Sequence, residues 1–207
     1  MKVFKKVHTE ILADRITRWL FEGTEQNEIA YLTAKLGLES ILINISKGFI
    51  VYMIAILFQT VLPTFITHAT YVLLRKFSQG LHAKSSFVCT VVSVTLFVIL
   101  PAIMQNIILS RPVVFFIGII VTCLFYLYAP ADTEKSPILN AETRNHLKWR
   151  SVWSSALITV VALIVPYPMV RTLMVLGLVL QIIMILPITY KLLGRRYRNY
   201  EEYETEV

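Results

Sequence analysis

The part of this chain richest in chemistry is RKFSQGLHAKSSFVC, residues 75–89. It brings together a cysteine, Cys89, a histidine, His82, a glycine, Gly80, and the cations Arg75, Lys76 and Lys84. A thiol becomes a useful nucleophile when an imidazole accepts its proton and nearby positive charge favours the thiolate. On one unbroken helix His82 and Cys89 share a face but stand ~10.5 Å apart along the axis, at ~1.5 Å per residue. That is too far for a hydrogen bond of ~3–3.5 Å. Gly80 offers a flexible point, and Ser85 and Ser86 are both reasonable N-caps. A helix that starts there lets the preceding loop fold back, so that His82 approaches Cys89 near the first turns, where the helix dipole also favours negative charge. From spacing alone the pairing is weak, because a His and a Cys seven apart are more often an accident than a site.

The other candidates read mainly as structure. Cys123 lies among Val121, Thr122, Leu124 and Phe125 and reads as a small core residue. His68 lies in an apolar stretch with Thr64, Thr67 and Thr70; ionisable groups inside a membrane are often functional, but a neutral imidazole bonded across helices is the simpler reading. Asp132 could orient His82 as the third member of a triad, whereas capping or turning the loop after Pro130 asks less of it. No His-Glu-x-x-His helix and no Gly-rich phosphate loop is present, and two cysteines are too few for a disulfide framework or a Cys-rich zinc site. Neither a metal nor a cofactor is expected.

The elements that must position these residues are membrane helices. The chain has 207 residues, of which 56% are hydrophobic and only 16% charged, with a mean hydropathy of +0.65. Soluble domains carry ~25% charged residues. Six apolar stretches can be marked: Leu42 to Phe58, Thr60 to Leu74, Ser86 to Leu109, Val113 to Ala129, Val152 to Val165 and Val170 to Leu193. A spanning helix needs ~20 residues, ~17 at the lower end. The second and fifth stretches are short by that measure. Period-2 alternation is absent, so the fold class is all-α and polytopic. Pro101 and Pro187 are expected to kink their helices.

All lysines and arginines except Lys47, Arg111 and Arg171 fall in the first forty residues, the loop after segment two, the loop after segment four, or the tail. That alternation predicts six spans with both termini in the cytoplasm. Nucleic acid is not an expected partner; the lipid bilayer is. The chain reads as one membrane domain over 1–207, with an amphipathic N-terminal segment (1–40), a bundle (41–193) and a cytoplasmic tail (194–207). In the N-terminal segment Phe4, Val7, Ile11, Leu12, Ile16, Trp19 and Leu20 are read as one helix face and Lys5, Lys6, Glu10, Arg15 and Arg18 as the other. A second amphipathic piece is expected over Glu28 to Glu39.

Arg75, Gly80, His82 and Cys89 in that wording, the run YAPADTEKSPI (128–138), the KLGLE entry into segment one (35–39) and LPI (186–188) together resemble the accessory gene regulator B family of bacterial quorum-sensing membrane peptidases. The resemblance covers nearly the whole chain in the same order and looks closest to the staphylococcal branch. Gln79 departs from it, standing where relatives often have glycine or histidine. The resemblance implies a cysteine endopeptidase in the bacterial cell membrane, with its site on the cytoplasmic side. It implies Cys89 as nucleophile, His82 as general base and acid, and Arg75 and Gly80 as residues that shape or support the site. The implied substrate is a short, membrane-anchored, AgrD-like propeptide, cut on its C-terminal side through an acyl-enzyme thioester and closed to a thiolactone. It leaves monomer and homodimer both open. The competing class is a non-enzymatic transporter or exporter of a small peptide or solute. Against it, no apolar segment carries an acidic residue of the kind an ion pathway needs.

Overall fold

A computed structural model describes residues 2–21, 28–81, 86–133 and 137–201. Among them the regular structure is helical: α1 (Lys2–Leu20), α2 (Glu28–Leu57), α3 (Val61–Ser78), α4 (Ser86–Val94), a π-helical turn (Thr95–Ile99), α5 (Leu100–Met104), α6 (Arg111–Tyr128), α7 (Ala141–Ile164), α8 (Pro168–Ile185) and α9 (Pro187–Leu192). There is no strand among the described residues, only an isolated parallel bridge between Gln79 and Ala131. Among the described residues five helices are long and apolar enough to cross a membrane: Ala30–Leu57, Phe87–Met104, Arg111–Tyr128, Ala141–Ile164 and Pro168–Ile185.

Several sequence expectations need correcting. The second apolar stretch does form a helix, α3, but it is not among those five. Its sequence includes His68, Arg75 and Lys76 besides a stripe of Thr64, Thr67, Thr70 and Ser78 that faces the protein interior, which lowers its hydropathy but does not overturn the six-span expectation. The fifth stretch is longer than its apolar core, because the helix starts at Ala141, capped by Asn140, whose side chain accepts from the N–H of Glu142 and Thr143. The sixth is not one helix. Leu186 is extended (φ −66°, ψ 136°) and Pro187 restarts the chain as α9, as the residue before a proline prefers. In the third, the π-helical turn immediately precedes Pro101, and Leu100 N–H bonds to the Thr95 carbonyl, five residues back. Proline supplies no N–H and crowds the carbonyl four residues before it, and the wider turn accommodates both.

The chain divides into two compact units, Met1–Met53 and Ile54–Val207. In the first, the piece expected over Glu28 to Glu39 is no separate helix but the opening of α2. The helix predicted at the N-terminus is present as α1, but its two faces are not. Ile11, Arg15 and Trp19 follow one another at i, i+4 and i+8 and all are exposed, while Ala13 and Thr17 are buried. Charged and apolar side chains are therefore interleaved around the helix. Phe4, Val7 and the other side chains before Ile11 lie outside the described residues. Asp14 ties the unit together, with Lys35 Nζ at 2.8 Å, Arg18 at 2.7 Å and the Tyr31 hydroxyl donating at 3.0 Å.

In the second unit α8 is the central helix, buried along most of its length. It packs against α3, α6 and α7. Small residues set the close approaches. A Cβ on Gly177 would lie 2.7 Å from Thr70 Cβ and 2.8 Å from the Thr67 carbonyl oxygen. On the neighbouring pair, a Cβ on Gly118 would meet Thr159, and Thr122 and Ser155 share a hydrogen bond of 3.0 Å. Close helix contact through small and hydroxyl residues is the packing mode of membrane bundles, where lipid removes the usual hydrophobic drive. At the C-terminal end of α8, the apolar cluster of Leu74, Leu81, Phe125, Ala131, Ile185 and Tyr190 supports the site.

Candidate active site

α3 ends in a turn built from two consecutive left-handed residues, Gln79 (φ +53°) and Gly80 (φ +116°). Three parts of the chain hold that turn, α8 through two residues. Arg75, one helical turn back, donates to the Leu81 carbonyl at 2.7 Å, the Gly80 carbonyl at 3.2 Å and the Tyr71 hydroxyl at 2.7 Å. The loop after α6 accepts the Gly80 N–H on the Ala131 carbonyl at 2.9 Å, and Ala131 N–H returns a bond to the Ser78 carbonyl at 3.0 Å. The end of α8 accepts the Leu81 N–H on Met184 at 3.2 Å. The Gln181 side chain donates to the Gln79 carbonyl at 2.6 Å. Glycine is required at position 80 on two counts. Its φ is one that L side chains rarely adopt, and a Cβ would lie 3.0 Å from both the Met184 carbonyl oxygen and Ile185 Cγ2.

Cys89 lies within the first four residues of α4, which begins at Ser86, and it is half-buried. His82 lies outside the described residues, as do Lys84 and Ser85, and the His82–Cys89 and His82–Asp132 pairings fall there with it. Asp132 itself is buried. Its carboxylate accepts from Asn199 N–H at 3.0 Å, Asn199 Nδ2 at 3.3 Å and Tyr200 N–H at 2.9 Å. Its carbonyl accepts from the Tyr190 hydroxyl at 2.8 Å. The carboxylate's bonds reach residues 67 and 68 positions further along the chain, so Asp132 fastens Asn199 and Tyr200 to the loop after α6 rather than capping its own loop. Burial, with the charge of Asp132 second, pushes the Tyr190 phenol well above its ordinary range.

The remaining candidates stand elsewhere. Cys123 is exposed on α6 beside Tyr126, Leu127 and Val152, so it is not the core residue the sequence suggested. Its neighbours on α6 are among the apolar side chains left uncovered by protein, and a lipid-facing helix has no need to bury a thiol. His68 stacks against Phe97 of the π-helical turn with ring centroids 4.7 Å apart. His146 lines a shallow surface with Glu142 and Arg150 on α7. No group of His, Cys, Asp and Glu among the described residues is arranged to hold a metal ion. Sequence reasoning missed Tyr71 and Gln181. Tyr71 stands four residues before Arg75, a spacing that places both on one helix face. Gln181 is an amide within an apolar segment, which is itself a reason for attention.

The family model described as Accessory gene regulator B matches residues 10–185. The chain belongs to the accessory gene regulator B family. An AgrB-like protein of Listeria innocua is 43% identical over 180 residues, covering 87% of this chain and 88% of the relative. One of Clostridium acetobutylicum is 38% identical over 198 residues, 96% and 95% of the two chains. The accessory gene regulator protein B of Staphylococcus haemolyticus is 36% identical over 181 residues, 86% and 93%. The staphylococcal leaning of the motifs is thus not matched by overall identity, since the Listeria relative is more similar than that staphylococcal one. No solved structure matches. With its apolar helices, this AgrB-family chain is a multi-pass membrane protein.

Proposed function

We propose that this chain is a membrane cysteine endopeptidase that cuts an autoinducing-peptide precursor and promotes its cyclisation to a thiolactone. The observation that carries the reading is local. Cys89 lies in the first turn of α4, and Arg75 pins the backbone at Gly80 and Leu81, one residue short of His82. In this reading His82 takes the Cys89 proton, and the thiolate attacks the scissile carbonyl carbon. The C–N bond breaks, and the leaving amine receives the proton back from His82. The precursor's own cysteine then loses its proton and attacks the thioester carbonyl. The new C–S bond closes the thiolactone as Cys89 leaves as a thiolate and is reprotonated.

A thiol suits this sequence of steps because exchange between thioesters is nearly energy-neutral, whereas an oxygen ester would have to go uphill. Water must be kept from the acyl-enzyme until the second thiol arrives. The membrane edge provides partial dryness together with access for a propeptide lying on the bilayer. Arg75, spent on backbone carbonyls, shapes the site rather than binding substrate. Asp132 is assigned to the chain end and not to the catalytic group. The termini and the loops around residues 75–84 and 130–150 face the cytoplasm, as the basic-residue alternation supports.

The test is to trap the adduct. Incubated with a cysteine-containing, AgrD-like propeptide, the wild-type protein should form a hydroxylamine-labile adduct that Cys89→Ser lacks. Processing without any such adduct would overturn the covalent mechanism.

A further inference from the structure

Gln181 is a fully buried polar side chain on α8. Its amide nitrogen stands 2.6 Å from the Gln79 carbonyl oxygen and 2.7 Å from Ser78 Oγ. A backbone carbonyl only accepts, so the atom facing it must be the NH2 group. Ser78 Oγ gives its own proton to the Leu74 carbonyl at 2.9 Å, and so it too accepts from Gln181. The other end of the amide, Oε1, is buried with no partner among the described residues. An apolar side chain of the same length would avoid leaving that acceptor unsatisfied. What keeps an amide here is therefore its donor end.

That donor end meets the turn at its most constrained point. Gln79 is a non-glycine residue in the left-handed region, and Gly80 follows it there. Such backbone persists only where its surroundings over-determine it. Arg75 holds the carbonyls of Gly80 and Leu81, Ala131 holds the Gly80 N–H and Met184 the Leu81 N–H. Among the described residues the Gln79 carbonyl is held by Gln181, from 102 positions further along the chain.

We propose that Gln181 is a positioning residue: through the Gln79 carbonyl it fixes the left-handed turn at the end of α3, from which the chain runs on toward α4 and Cys89. The inference rests on the peptidase reading above. Being fully buried, Gln181 meets no substrate, and its effect reaches the reaction only through the turn.

The test uses the full chain in proteoliposomes on a Cys123→Ala background, where iodoacetamide reports Cys89 alone. Both the rate constant and the amplitude of labelling are measured, alongside propeptide cleavage. Gln181→Met keeps the length and removes the donor. Gln181→Asn keeps the amide but withdraws it by one methylene. For both, labelling should reach full amplitude, while its rate constant and the cleavage rate fall roughly 10- to 100-fold, the scale on which ~1 Å misplacement acts. Unchanged rates overturn the proposal. So does a lost amplitude with wild-type rate in the remaining fraction, since that marks a folding role only. Cys89→Ser is a separate arm. Cleavage surviving in it overturns the peptidase reading itself, whereas an inactive Cys89→Ser beside a fast Gln181→Met removes only the role given to Gln181.

Discussion

Near each end of α8 an arginine donates to backbone carbonyls, Arg171 buried and Arg75 partly buried, and the ends differ in what the arginine holds. At the N-terminal end Arg171 donates to Leu109 at 3.2 Å and Val165 at 3.4 Å. Thr172 completes that end by donating to the Ile107 carbonyl at 2.9 Å and accepting the Leu109 N–H at 3.2 Å. The segment so fastened, 107–110, carries no cysteine, no histidine and no left-handed residue. At the C-terminal end Arg75 grips a left-handed turn more tightly, and that turn leads into His82, with Cys89 a few residues beyond. A buried arginine on carbonyls is thus not in itself a mark of function. What sets the C-terminal end apart is the left-handed conformation that its arginine holds.

If the ends differ in kind, the largest effects belong to the thiol and its histidine. Cys89→Ser should abolish propeptide processing, while Cys123→Ala, exposed on α6, should leave most of it. His82→Ala should lower cleavage ~10²–10⁴-fold, the usual cost of a general base, and slow alkylation of Cys89 together with it. Equal loss from both cysteine variants, at equal protein level, would erase the distinction between the two thiols.

Next come the arginines, exchanged for lysine, which keeps the charge and loses the fork of donors. Arg75→Lys should cut the cleavage rate constant strongly with a modest change in thermal stability. Arg171→Lys should do the reverse, lowering stability by ~1–3 kcal/mol through its lost charge-assisted bonds and leaving the rate constant of the folded fraction intact. Thermal unfolding in detergent and single-turnover cleavage separate the two. Matching profiles would show that both ends are merely structural.

Glycines sharpen the same contrast. Gly80→Ala must fit a Cβ 3.0 Å from the Met184 carbonyl at φ +116°, whereas at Gly194 (φ +58°) nothing lies within 4 Å. Cleavage should fall markedly in the first and little in the second, where only the backbone preference opposes the change.

What the sequence revealed follows the range of the interactions. Cys89, Gly80 and Arg75 stand within one short run and were singled out there by type, while their roles came from the family resemblance and not from spacing. The partners of that run were not. Gln181, Met184 and Ala131 reach it from α8 and the loop after α6, and no periodicity records which side chain will face which turn. Helix ends failed for a related reason. Lys35 and Glu39 read as a boundary because they are charged, yet both are good helix formers, and α2 runs through them. Pro187 was legible as a kink, whereas Leu186 before it is extended and the chain breaks into two helices there, with Tyr190 of the second bonded to the Asp132 carbonyl.

The smallest expected effect concerns that contact. Tyr190→Phe leaves the buried Asp132 carbonyl without its donor at 2.8 Å, a loss of ~1–3 kcal/mol. The pH dependence has a definite sign. Burial and then Asp132 raise the phenol above its ordinary range in the folded protein, while the unfolded phenol titrates near ~10. The protonated form is therefore the one folding favours. Its contribution is fully present below ~10 and is lost as pH rises beyond that value toward the folded one. Stability should be flat around neutrality and fall on the alkaline side, and Tyr190→Phe should remove part of that alkaline slope. At the other end of α8, Thr172→Val also removes a hydroxyl with partners on 107–109, but that hydroxyl does not titrate in this range. Its loss should lower stability by a similar amount with no change in the alkaline slope. Thermal unfolding of both variants at pH 7 and pH 10.5 decides the point, and an alkaline slope unchanged in Tyr190→Phe would remove Tyr190 from the account of how the chain end is held.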